Sequence, residues 1–291
     1  MRYSFFSIAR QALNSHKGWT EAWKKPQLQP RYDVVIIGGG GHGLATAYYL
    51  AKRNSGLRVA VLERGWIGGG NTGRNTTVVR SNYFLKENAD FYEHSLKLWE
   101  NLTQELNFNL MFSQRGVVQL CHSFHDMEGS TNRYNALRLN GIDSDVLTRE
   151  QLKVMVPDLN YAPGARFPIT GAVIQRRAGV ARHDAVAWGF ARAASGLGVD
   201  IIENCEVTDI DVDMNVVTGV RTSKGNVRCD KIGICVAGHT SEVARLAGLK
   251  LPIETHLLQA MVTEPVKPFL HTAVASSALH CYISQTDKGE L

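Results

Sequence analysis

The chain has 291 residues, 44% hydrophobic and 20% charged, enough for a sizeable core and about two domains. Its net charge of +5 is spread out with no Lys/Arg block, which points away from nucleic acid, and no apolar run approaches the roughly 18 residues of a membrane span. The five cysteines (Cys121, Cys205, Cys229, Cys235, Cys281) show no C-x-x-C spacing, so they read as reduced thiols in a cytoplasmic protein, with neither a metal site nor a disulfide framework.

Residues 1–31 read as a basic arm. No acid precedes Glu21, while Arg2, Arg10, Lys17, Lys24 and Lys25 are basic and Phe5, Phe6, Ile8 and Leu13 are loosely amphipathic. Arg10 interrupts the apolar run and no small-residue cleavage site follows, which disfavours a targeting peptide. The reading is an arm that packs on this protein or on a partner, anchored by Trp19 and Trp23.

Tyr32 to Glu63 carries the strongest pattern. Val34–Ile37 is an unbroken apolar run, as expected of a parallel strand buried on both faces. Gly38-x-Gly40-x-x-Gly43 follows, then helix formers from Leu44 to Lys52, a second apolar run from Val59 to Leu62, and Glu63. Strand, glycine turn, helix, strand and acid in that order form a dinucleotide-binding fingerprint. The turn and the helix N-terminus suit a pyrophosphate, and Glu63, twenty residues after Gly43, suits two ribose hydroxyls. An acid there disfavours the 2′-phosphate of NADP.

Residues 65–77, GWIGGGNTGRNTT, read as a loop that approaches a phosphate or ring closely, with Asn71, Arg74, Asn75, Thr76 and Thr77 as its polar groups. Val78 to Tyr83 reads as extended, and on pattern alone Arg80 reads as a surface charge, with an anion clamp as the alternative. Helices are expected over Asp90–Leu106 and over Arg149–Val156, the latter behind Thr148 with Gln151 completing a capping box. Strands are expected at Gly116–Leu120 and Ala172–Gln175. A helix from Asp184 to about Leu197 precedes strands at Val199–Ile202 and Glu206–Val212. Val216–Thr222 and Val227–Cys229 then read as a hairpin, and Lys231–Ala237 as a further buried strand entering a turn and helix. His183 stands at a helix start behind three arginines; taken alone, it reads as a cap or core histidine. Two nucleotide-type segments alternating with other strands suggest interleaved domains.

GGGGHGLATAYYLAK, VAVLERGWIGGGNTGRNTTVVRSNY, MFSQRGVVQL and RAGVARHDAVAWGFARAA resemble the beta subunits of heterotetrameric sarcosine oxidases, within the D-amino-acid-oxidase-like flavoproteins. The resemblance implies an α/β fold with an α+β substrate domain: a Rossmann-like, glutathione-reductase-type FAD-binding domain interleaved with a mainly antiparallel β-sheet substrate domain. The implied division is 1–31 arm, 32–100 and 176–250 FAD-binding, and 101–175 and 251–291 substrate domain. It implies non-covalent FAD at Gly38, Gly40, Gly41, His42, Gly43, Glu63, Asn71, Arg74, Asn75, Thr76, Thr77 and Val207. FMN is expected to be covalently bound through His183, and Arg80 to bind the substrate carboxylate. The implied reaction takes a hydride equivalent from the N-methyl carbon of sarcosine, giving glycine and formaldehyde, or methylenetetrahydrofolate. Electrons then pass through FMN to oxygen, giving hydrogen peroxide. Implied partners are alpha, gamma and delta subunits, with tetrahydrofolate and NAD on the alpha subunit. The family runs on past Leu291, so the chain is expected to be a fragment. Three other readings stand beside this: a dimethylglycine-type oxidase or dehydrogenase, a nicotinamide-dependent dehydrogenase sharing the first fingerprint, and a non-catalytic subunit.

Overall fold

The structure, a computed structural model, describes residues 4–15, 17 and 21–291. The expected anchor Trp19 lies outside these. In chain order the elements are α1 (Phe5–Leu13), β1 (Arg31–Ile37), α2 (Gly41–Arg53), β2 (Val59–Leu62), β3 (Val78–Val79), α3 (Lys86–Glu105) and β4 (Val117–Cys121). Next come α4 (Phe124–Leu139), β5 (Asp145–Thr148), α5 (Arg149–Met155), β6 (Gly171–Gln175), β7 (Gly179–Val180) and α6 (His183–Gly196). The remainder is β8 (Asp200–Ile202), β9 (Val207–Asp213), β10 (Val216–Thr222), β11 (Gly225–Ile234), α7 (Thr240–Leu246), β12 (Ala273–Ser276) and β13 (Cys281–Ile283).

The chain forms two compact units. The first comprises residues 1–75, 104–109 and 183–258; the second comprises 76–103, 110–182 and 259–291. These divisions differ from the expected changes after residues 100, 175 and 250. Val78 and Val79 of β3 pair with Val180 and Gly179 of β7, which draws residues 76–103 and 176–182 into one unit.

In the first unit six strands lie in the order β8-β2-β1-β11-β10-β9. β1 is parallel to both β2 and β11, and its Val34–Ile37 are all buried, as a central strand requires. Val35, Ile37, Leu62, Ile202, Ile210 and Val220 meet in one core. The two strands expected at Val227–Cys229 and Lys231–Ala237 are one strand, β11. Its first part, Gly225–Arg228, pairs antiparallel with β10 and the stretch from Arg228 to Ile234 pairs parallel with β1, so a hairpin pattern turns into a buried one without a break. α1 buries none of its residues, and Phe5, Phe6 and Leu13 are exposed; Trp23 is half-buried.

The second unit holds the sheet β13-β12-β4-β6-β5, in which only β12 and β4 are parallel. Its core joins Val118, Leu120, Leu147, Leu152, Ala172 and Ile174. Leu152 comes from α5, where the Thr148 side chain accepts from the Gln151 N–H at 3.2 Å and Gln151 Oε1 accepts from the Thr148 N–H at 2.9 Å. Thr148→Ala removes one of these bonds and is expected to lower stability by about 1 kcal/mol, read as a denaturation midpoint shift at unchanged slope. α3 starts at Lys86, four residues before the expected Asp90. α4 had no sequence signal because only Tyr134 and Leu137 of its sixteen residues are buried, leaving no apolar stripe; its start is marked by Ser123, which accepts from the Asp126 N–H. Among the described residues no helix is long and apolar enough to cross a membrane.

Candidate cofactor and carboxylate sites

In the first unit the glycine turn leaves β1 between its two neighbours. The Gly38 N–H donates to Leu62 O at 2.9 Å, and the Cys235 N–H donates to Ile37 O at 2.8 Å. Gly38 has φ +107°, and a Cβ there would strike the Cys235 carbonyl. A Cβ on Gly43 would strike the Gly38 carbonyl in the same way, so α2 packs on the turn only because position 43 has no side chain. Gly43→Ala is therefore expected to leave the protein without FAD and less stable, measured by flavin absorbance per purified chain and by thermal melting.

The N-terminus of α2 has Gly40 as its cap and no side-chain cap bond. A helix end of this kind presents free N–H groups and a positive dipole to an anion. Thr72 reaches in from the following loop, accepting from the Gly41 N–H at 3.0 Å. The Glu63 carboxylate accepts from the Gly39 N–H at 2.7 Å and the Gly65 N–H at 2.8 Å, joining the two glycine loops. A carboxylate has about four acceptor positions, so two remain for ribose hydroxyls. The Arg74 guanidinium donates to the carbonyls of Gly69, at 2.6 Å, and Gly70, at 3.1 Å, which folds the loop back on itself.

The remaining expected residues of this unit are more peripheral. His42 is exposed on α2, and Asn71 and Asn75 are exposed at the ends of the short turn Thr72–Arg74. Val207 opens β9 and packs against the strand core. His183 opens α6, and its Nδ1 is buried with no hydrogen-bond partner among the described residues. Farther along that helix Ala187 stands against Gly68, where an added Cβ would lie 3.3 Å away. This places α6 beside the glycine loop.

In the second unit Thr76, Thr77 and Arg80 lie on one stretch. Thr76 Oγ1 is 2.5 Å from the Tyr282 hydroxyl. Thr77 has φ +66°, a strained conformation for a β-branched residue, and its carbonyl accepts from the Ala181 N–H. Arg80 is half-buried: its Nη1 donates to Asn82 Oδ1 at 2.8 Å, and its guanidinium lies 4.3 Å above the Tyr83 ring. Among the described residues no carboxylate stands within ion-pair distance of it. Burial pushes the Tyr83 phenol up, so the ring stays neutral under the cation. The surface-charge reading of Arg80 thus gives way to a mounted cation with an open side.

Thr72, Asn82 and Tyr83 escaped the sequence reading. Each is a neighbour of a residue singled out there, but small polar and aromatic side chains carry no spacing signal of their own.

The FAD dependent oxidoreductase family matches residues 33–291. The chain is 54% identical to the sarcosine oxidase subunit beta of Rhizobium meliloti (strain 1021), over all of this chain and 70% of that protein. It is 52% identical to the sarcosine oxidase subunit beta of Arthrobacter sp. over 92% of this chain and 66% of that one. Among solved structures, L-proline dehydrogenase from P. horikoshii matches with a TM-score of 0.80 at 26% identity, over 90% of this chain and 69% of that one. Glycine oxidase from Geobacillus kaustophilus, at TM-score 0.79 and 24% identity over 90% and 70%, shares the fold. The glycine-capped helix end, the acid after β2 and the glycine loop tied to both fit FAD, and the chain belongs to the FAD dependent oxidoreductase family.

Proposed function

We propose that this chain is the FAD-carrying subunit of an oxidase that demethylates sarcosine. The observation that carries the reading is its 54% identity, along its whole length, to a protein named sarcosine oxidase subunit beta. The overall reaction converts sarcosine, oxygen and water to glycine, formaldehyde and hydrogen peroxide. Bound FAD supplies a two-electron acceptor for the N-methyl carbon, and FMN a route from it to oxygen.

The chain's own residues bind and orient. Gly38, Gly40, Gly41, His42 and Gly43 surround the pyrophosphate, Glu63 accepts from the ribose, Val207 meets the adenine, and Asn71, Arg74, Asn75, Thr76 and Thr77 line the cofactor. Arg80 pairs with the substrate carboxylate, a planar anion that a guanidinium meets with two parallel hydrogen bonds. His183 carries FMN as a covalent adduct; its buried Nδ1, which has no hydrogen-bond partner among the described residues, supports this. Alpha, gamma and delta subunits complete the assembly, with tetrahydrofolate and NAD on the alpha subunit. The domain roles expected above follow: the six-stranded unit holds FAD and the five-stranded unit holds substrate.

Anaerobic mixing of the FAD-loaded protein with sarcosine tests the reading. Loss of the flavin's visible absorbance with sarcosine supports it; loss with dimethylglycine alone reassigns the substrate, and no loss with either favours a non-catalytic subunit.

A further inference from the structure

We propose that Asn82 and Tyr134 are positioning residues that hold Arg80 in one pose, presenting a single edge of its guanidinium to the substrate carboxylate; this rests on the reading of Arg80 just given. A guanidinium has only donors, so the Asn82 amide must turn its oxygen toward Arg80. That leaves the Asn82 Nδ2 to donate to the Tyr134 hydroxyl, at 2.8 Å. Asn82 and Tyr134 are each only 4% exposed, so water has little access to the bond between them. Burial also pushes the Tyr134 phenol up, keeping it a neutral acceptor.

The backbone between Arg80 and Asn82 is locked as well. The Ser81 N–H donates to Gln175 Oε1 at 2.9 Å, and its hydroxyl donates to Glu93 Oε2 at 2.7 Å while accepting from Gln175 Nε2 at 2.6 Å. Beneath the guanidinium, Tyr83 stacks on Tyr92 with centroids 3.9 Å apart and planes at 21°. One Nη is thereby committed to Asn82 and one face to Tyr83. The Nε and Nη2 edge makes no hydrogen bond among the described residues. A half-buried cation held this firmly, with two parallel donors that no described residue takes up, fits a small planar carboxylate bound side-on.

Calorimetric titration of the FAD-loaded protein tests this with methoxyacetate, which has the shape of sarcosine but no oxidisable amine, and with methoxyacetamide, its neutral counterpart. The readout is the ratio of the two Kd values. Wild type is expected to prefer the carboxylate, and Arg80→Met to abolish that preference. Asn82→Ala is expected to shrink it about tenfold and Tyr134→Phe about threefold. Arg80→Met combined with Asn82→Ala should match Arg80→Met alone, because Asn82 acts through Arg80. A merely structural role would weaken both ligands alike and leave the ratio unchanged. An unchanged ratio in Asn82→Ala and Tyr134→Phe, with the preference lost in Arg80→Met, overturns the positioning role. Failure of wild type to prefer methoxyacetate, or retention of the preference in Arg80→Met, overturns the Arg80 reading and this proposal with it. Tyr134→Phe removes one oxygen from a buried ring and decides the matter alone should Asn82→Ala not fold.

Discussion

Arg80→Met is expected to lower kcat/KM for sarcosine, the proposed substrate, by about a hundredfold or more while leaving FAD content unchanged. Removing one member of a desolvated, hydrogen-bonded charge pair costs about 2–5 kcal/mol, and the substrate carboxylate is the member left stranded. Methionine keeps most of the apolar stem of the side chain while removing the guanidinium that lies on the Tyr83 ring, so much of the stem packing is retained when the charge is lost. Arg80→Lys is expected to recover little, because an ammonium is a point charge and cannot offer two parallel donors to a carboxylate. The measurement is steady-state kinetics with sarcosine, with visible absorbance recording bound flavin. A variant with wild-type kcat/KM would return Arg80 to the surface-charge reading. The open guanidinium edge would then be without a ligand.

His183→Ala is expected to abolish covalent flavin altogether. On a denaturing gel viewed under ultraviolet light, the wild-type chain co-expressed with the proposed alpha, gamma and delta partners is expected to give a fluorescent band at its own position, and the variant none. The effect is all-or-none because denaturation strips any flavin held only by contacts, however tightly, while a bond to an imidazole nitrogen survives. Position 183 opens α6, and alanine is a good helix former, so the helix His183–Gly196 is retained. Non-covalent FAD should remain, since the glycine turn, Glu63 and Thr72 are untouched. Fluorescence persisting in the variant would move the attachment to another residue. A band in neither protein would remove covalent flavin from the reading and leave the FAD site standing.

Much of the cofactor half was legible in the sequence. Local backbone demands wrote it: a strand buried on both faces must be apolar throughout, a tight turn against a neighbouring carbonyl must be glycine, and a close helix must have no side chain at Gly43. The capping box at Thr148 and Gln151 was legible for the same reason, because its two bonds lie within four residues. Distant pairings left no such record. β11 has the sequence pattern of two strands because its two partners impose different patterns on its two parts. α4 was silent because it buries two side chains and little else. Arg80 is the sharpest case. The sequence by itself determined its type and its neighbours, and chemistry at that level is compatible with a surface charge. Only the tertiary structure brought Tyr134 to Asn82 and Gln175 to Ser81, from 52 and 94 residues away, and so turned a flexible cation into a fixed one. A side chain's identity is local, but its freedom depends on what the fold packs against it.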